Sequence, residues 1–116
     1  MRRNLCAYLH DMLEASQAIQ HFVEGFDAHT FDSDDLTRSA VERKFEIIGE
    51  ALRQATQFHP GSIESIAGLR AAIGQRNQLI HGYFDVDSLI VWNSIYDDLP
   101  DFQSNVERLI AMHCKE

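Results

Sequence analysis

Apolar residues return every three or four positions through most of this chain. Leu5, Tyr8, Leu9, Met12, Ile19, Phe22, Val23 and Phe26 keep that spacing and predict a long first helix from about Arg3 to Glu24. Gly25 begins a break, and the polar run Asp27 to Ser33 reads as a connector. Asp32 or Ser33 can cap a second helix, with Asp34 and Asp35 at the positive end of its dipole. Val41, Phe45, Ile48, Leu52 and Ala55 form its buried stripe. Gly49 falls mid-helix, where glycine costs about 1 kcal/mol relative to alanine, so a close crossing by another helix is expected there. His59-Pro60-Gly61 ends the helix, because proline and glycine both resist continuation.

Ser62 opens a further helical stretch carrying Ile63, Ile66, Leu69, Ile73, Leu79 and Ile80, with Gly68 and Gly74 as weak points and Gly82 as its natural stop. Asp85 and Asp87 offer caps for the next helix, whose apolar positions are Leu89, Trp92, Ile95 and Tyr96. Leu99-Pro100 marks a kink or a new start. A last helix runs from about Asp101 to His113 with Phe102, Val106, Leu109 and Ile110. No alternating strand pattern occurs. The expected fold is all-α, an up-and-down four-helix bundle with a kinked or additional C-terminal helix, and residues 1–116 make a single domain.

Charge narrows the function. Eighteen acidic against ten basic side chains leave a formal net charge of −8, which is wrong for a general RNA coat or a DNA binder. Any positive potential must be local, around Arg76 and secondarily Arg43, Lys44 and Arg53. The row Arg43, Glu46, Glu50 and Arg53 is read as a charged helix face in preference to an active-site wall. The apolar runs are far too short for a membrane span, and Asp11 and Glu14 follow the basic start too soon for a signal peptide, so a cytoplasmic protein is expected. His10 and Glu14 read as a surface ion pair and not half a metal site, since no further ligands accompany them. Cys6 and Cys114 form no metal motif; in an antiparallel bundle they could meet, but a reducing cytoplasm favours free thiols.

The candidate chemistry lies in Arg76-Asn77-Gln78-Leu79-Ile80-His81-Gly82-Tyr83. Histidine exchanges protons near neutral pH, and arginine is a permanent planar cation suited to phosphate oxygens. Asn77 and His81 share a helix face, whereas Arg76 and His81, five apart, point roughly 140° away from each other on a regular helix. Either the helix ends near Gly82 and frees His81, or the site needs a second copy of the chain.

This octet resembles the Arg-x4-His-x-Tyr signature of the HEPN superfamily in its HepT-like toxin branch. The stretch from Ala40 to Ala51 resembles that branch's second helix, and His81 to Asp87 with Val91-Trp92 and Leu99-Pro100 follows its later pattern, so the likeness covers nearly the whole length. It implies a metal-independent endoribonuclease toxin without a cofactor, held in check by a minimal nucleotidyltransferase antitoxin. It also implies that the antitoxin attaches AMP groups to the signature tyrosine, here Tyr83.

Metal-free RNA cleavage needs a base for the ribose 2′-hydroxyl, an acid for the departing 5′-oxygen and a cation for the charge building on phosphorus. His81 can serve as base or acid, Arg76 as phosphate clamp and Asn77 as an orienting partner, and a homodimer would supply two copies of each. On spacing alone, a structural histidine at a helix end and a surface arginine remain open. The alternative within the resemblance is a non-catalytic HEPN module that binds a nucleotide or a nucleotidyltransferase, with His81 merely structural.

Overall fold

The structure is a computed structural model that describes residues 3–66, 68 and 88–114. Five helices account for most of them: α1 Leu5–Phe22, α2 Ala28–Ser33, α3 Asp35–Phe58, α4 Ser88–Asp97 and α5 Leu99–His113. Among the described residues there is no strand. The protein is an all-α helical bundle.

The first three helices each begin where a side chain takes up an orphan backbone N–H. Asn4 Oδ1 accepts from the Ala7 N–H at 2.9 Å, so α1 starts at Leu5 and not at Arg3. Tyr8, Leu9, Met12, Ala15, Ser16 and Ile19 form its buried face. The Ser16 hydroxyl, fully buried, donates to the Met12 carbonyl at 2.9 Å, so its polarity carries no desolvation penalty. Gly25 takes a left-handed φ of 78°, which turns the chain out of α1.

The run read as a connector contains a helix. Asp27 accepts from the Thr30 N–H at 2.8 Å while the Thr30 hydroxyl accepts from the Asp27 N–H at 2.9 Å, a reciprocal cap that nucleates α2. The backbone bond from Thr30, then its side-chain bond, hold the Asp27 carboxyl below the ordinary carboxylate range. Phe31 is the one residue of α2 that is buried, with no exposed surface. Asp34 then ends α2 and caps α3, its Oδ1 accepting from the Thr37 N–H at 3.0 Å, in place of the expected Asp32 or Ser33.

The long helix α3 buries Val41, Phe45, Ile48, Ala51, Leu52 and Ala55. Among the described residues nothing lies within 4 Å of a side chain built at Gly49, so no described element makes the crossing expected there. The expected helix does not begin at Ser62: Gly68 is helical, and the rest of that stretch beyond Ile66 lies outside the described residues. From Gly61 to Ile66 the chain forms turns, with Gly61 at φ 84° and the Ile66 N–H bonded to the Ile63 carbonyl at 3.0 Å. Ile63 and Ile66 are buried and pin this turn to the core. The Gly82 stop, the Asp85 and Asp87 caps, and Leu69, Ile73, Leu79 and Ile80 lie outside the described residues.

On α4 the buried side chains are Val91, Ser94 and Ile95, whereas Leu89 and Tyr96 are about half exposed, so the core face is turned from the expected stripe. Trp92 lies between Phe31, at 5.2 Å between ring centroids, and Tyr96, at 4.9 Å. That aromatic row fastens α4 to α2. At Leu99 a new helix starts with Pro100 in its first turn, where a missing N–H is harmless. Leu99, Phe102, Val106 and Leu109 are the core residues of α5.

Two contacts fix helix directions. The His59 ring donates from Nε2 to the Arg3 carbonyl at 2.8 Å, which sets the end of α3 beside the start of α1. Cys6 and Cys114 form a disulfide with their Cα atoms 5.7 Å apart, which sets the end of α5 there too. Both α3 and α5 therefore run antiparallel to α1. The free thiols expected from a reducing compartment are thus corrected: bundle geometry brings the first turn of α1 and the cap of α5 within bonding reach.

Phe31 is the test of how α2 is held. Phe31→Ala is expected to cost ~3–5 kcal/mol by leaving a cavity beneath α2 and Trp92. Leu36→Ala, at a residue 82% exposed, should stay within about 0.5 kcal/mol of the parent. Urea unfolding of both variants checks this; equal midpoints would mean that α2 contributes nothing to the core.

Candidate functional site

Arg76, Asn77, His81 and Tyr83 lie outside the described residues. What the structure describes is the frame on either side of them. Upstream, α3 ends at His59, and Ile63 and Ile66 anchor the following turn in the core. Downstream, the Ser88 hydroxyl donates to Asp32 Oδ1 at 2.5 Å, and Trp92 packs against Phe31. The segment bearing the candidate chemistry thus leaves one packed point and returns to another.

Of the second group of candidate cations, on α3, Arg43 and Arg53 are paired, whereas Lys44 makes no ion pair among the described residues. Arg43 meets Glu46 at 3.3 Å and Arg53 meets Glu50 at 2.5 Å, both at i, i+3 spacing. Gln54 also donates to Glu50, at 2.7 Å. Hydrogen bonding to Glu50, reinforced by its charge, pushes the Arg53 guanidinium above its ordinary value. Arg43 and Arg53 are therefore not a free basic wall, in agreement with the charged-face reading.

That face forms one side of a cleft of about 160 Å³ between α3 and α1, with Arg3, Tyr8 and Asp11 opposite Arg43, Glu46 and Glu50. Arg3 bonds Asp11 at 2.6 Å and lies 5.0 Å above the Tyr8 ring. The Asp11 hydrogen bond raises the Arg3 guanidinium, against a smaller opposing effect of burial. Charges of both signs, each engaged with an opposite, suit a solvated seam better than a phosphate track. A larger cleft of about 220 Å³ runs between the turn at Ser65 and Ile66 and the α4–α5 junction, where Asp97, Asp98 and Asp101 make its rim acidic. Carboxylates there would repel an RNA backbone.

Sequence spacing suggested a His10–Glu14 ion pair, and none is formed. Among the described residues no three histidine, cysteine or carboxylate side chains gather as a metal site, and no helix is long and apolar enough to cross a membrane. The Tyr8–Arg3–Asp11 group went unforeseen, and the disulfide was weighed but not favoured. The signal for the disulfide in the sequence is the placing of Cys6 and Cys114 at the outer ends of the first and last helices.

Comparison with known proteins supplies what the frame alone does not. A family model described as "Ribonuclease HepT-like" matches residues 12–109. A protein of Thermococcus cleftensis named "Probable ribonuclease HepT" is 33% identical over 113 residues, covering 94% of this chain and 98% of its own. A Methanocaldococcus jannaschii protein provisionally named as an RNase is 32% identical over 106 residues, covering 91% of this chain and 96% of its own. Another, from Caldanaerobacter subterraneus and also provisionally named as an RNase, is 28% identical over 103 residues, or 89% of this chain and 91% of its own. No solved structure matches the chain.

Proposed function

The chain belongs to the HepT-like ribonuclease family, and from that premise we propose that it is a metal-independent endoribonuclease acting in the cytoplasm as the toxin of a toxin–antitoxin pair. The observation that carries the reading is the end-to-end match to proteins named as ribonucleases, together with an intact Arg76-x4-His81-x-Tyr83. The pairing of Arg43 and Arg53 with carboxylates agrees with it, because it takes two of the other candidate cations out of competition with Arg76.

In this reading Arg76 holds the phosphate and stabilises the charge that builds on its oxygens. His81 removes the proton from the ribose 2′-hydroxyl, which attacks the adjacent phosphorus; the 5′-oxygen leaves and takes a proton. A homodimer that brings the two segments together provides a second His81 for that acid role and relieves the angular mismatch between Arg76 and His81. Asn77 orients the imidazole or the phosphate. A minimal nucleotidyltransferase antitoxin adenylylates the Tyr83 hydroxyl: AMP is joined to the phenol oxygen, pyrophosphate leaves ATP, and the added negative charge competes with RNA for Arg76. The non-catalytic module is the competing reading, and RNA incubated with the protein in EDTA separates the two.

Arg76→Ala and His81→Ala should each lower cleavage by ~10²–10⁴ without unfolding the chain. Cleavage by the parent should persist in EDTA and leave 2′,3′-cyclic phosphate ends; 5′-phosphate products that need a metal would refute the mechanism. Light scattering at micromolar concentration should show a dimer, and a monomer with full activity would sink the composite site. Tyr83→Phe keeps the ring and removes the acceptor oxygen. The variant should stay toxic when co-expressed with the nucleotidyltransferase; neutralisation equal to wild type, with no adenylylated peptide in the mass spectrum, would show that control runs through binding alone.

A further inference from the structure

We propose that Cys6 and Cys114 form a reversible redox clasp, so that the stability of the chain follows the thiol balance around it. This holds whatever RNA the protein cleaves, and does not depend on the catalytic reading.

The bond joins positions 108 residues apart, so it closes nearly the whole chain into one loop. A cross-link of that length removes much conformational freedom from the unfolded state. Little else holds the end of α5. Leu109 is its last buried residue, Ile110 is half-buried, and Ala111, Met112 and His113 are exposed. By contrast the start of α1 has the Asn4 cap, the Arg3–Asp11 pair and the His59 bond to the Arg3 carbonyl. Opening the disulfide therefore releases the final turn of α5 first.

Both redox states fit the site. Cys6 and Cys114 are each half-buried, packed enough to be held in place and open enough for a reductant's thiolate to reach. Cys6 Sγ also lies 3.5 Å from the His113 carbonyl, where the thiol of the reduced form can donate a hydrogen bond. A dithiol reductant attacks one sulfur, the S–S bond breaks, and the reductant's second thiol resolves the mixed disulfide. Two electrons and two protons end on Cys6 and Cys114, and the reductant departs as a cyclic disulfide. A small-molecule disulfide such as oxidised glutathione drives the reverse. In a reducing compartment a disulfide of this kind is a sensor and not a permanent staple.

The test uses the full chain in dithiothreitol and glutathione redox buffers, with maleimide labelling read by mass, thermal melting and amide exchange. Labelling of both cysteines should require prior reduction, and reduction should lower Tm by on the order of 10 °C. Exchange should rise in residues 110–114 before the rest of the bundle. The Cys6→Ser/Cys114→Ser double variant keeps a hydroxyl near the His113 carbonyl and should melt with the reduced parent, with or without dithiothreitol. Complete unfolding on reduction would support the clasp more strongly. Two free thiols that fail to close in oxidised glutathione, a bond formed between chains, or equal Tm values in both states would overturn it.

Discussion

Everything else in this molecule depends on the antiparallel packing of α1 on α3. These two helices share the most extensive contact in the described structure, and their buried faces supply most of the core. Leu9, Met12 and Ile19 from one helix and Val41, Ile48 and Leu52 from the other are fully or almost fully withdrawn from water. Burying each such side chain is worth about 1.5–3 kcal/mol, which far exceeds what the exposed ion pairs around the seam can give. The charged residues of α3 consequently decorate the bundle and do not hold it together. Onto this pair α5 adds a third apolar face, while α2 and α4 are fastened to one end by Phe31 and Trp92.

That arrangement also sets the charge pattern that an RNA substrate of this ribonuclease family would meet. Four of the described arginines, Arg3, Arg38, Arg43 and Arg53, pair with carboxylates, and the larger of the two clefts has an aspartate rim. In the function proposed above, attraction for RNA falls to the segment around Arg76.

How much of this was legible in the sequence depended on how many residues carried each signal. The faces of α1, α3 and α5 repeat over many turns, and most expected core positions in them are buried. Leu5, Phe22, Phe26 and Ile110 are only partly so, and the small residues Ala15, Ser16 and Ala51 join the core unexpected. α2 was missed because a six-residue helix with one apolar anchor has no period to read; the Asp27–Thr30 reciprocal cap was its only mark, hidden in a polar run. The face of α4 was misjudged because Leu89 and Tyr96 are apolar yet lie outside the core, and Ser94 is polar yet buried, its hydroxyl satisfied by the Ile90 carbonyl at 3.0 Å. Gly49 suggested a crossing that no described helix makes. The cysteine bond could not be read from spacing, because proximity between residues 6 and 114 exists only after the bundle has formed. For the candidate site the case is reversed: its motif stands out in the chain, and its residues lie outside those described.

The nearness of Cys6 and Cys114 has a consequence for architecture. With 5.7 Å between their Cα atoms, the path of the chain is almost a closed ring. A ring has no privileged point of entry: the same helices could be opened at an exposed corner and joined across this pole, giving a circular permutant with its packing kept. By the same geometry the bundle could sit as an insert in a surface loop of a host protein, entering and leaving through adjacent points and asking the host to spread its own strands or helices by no more than the width of one turn.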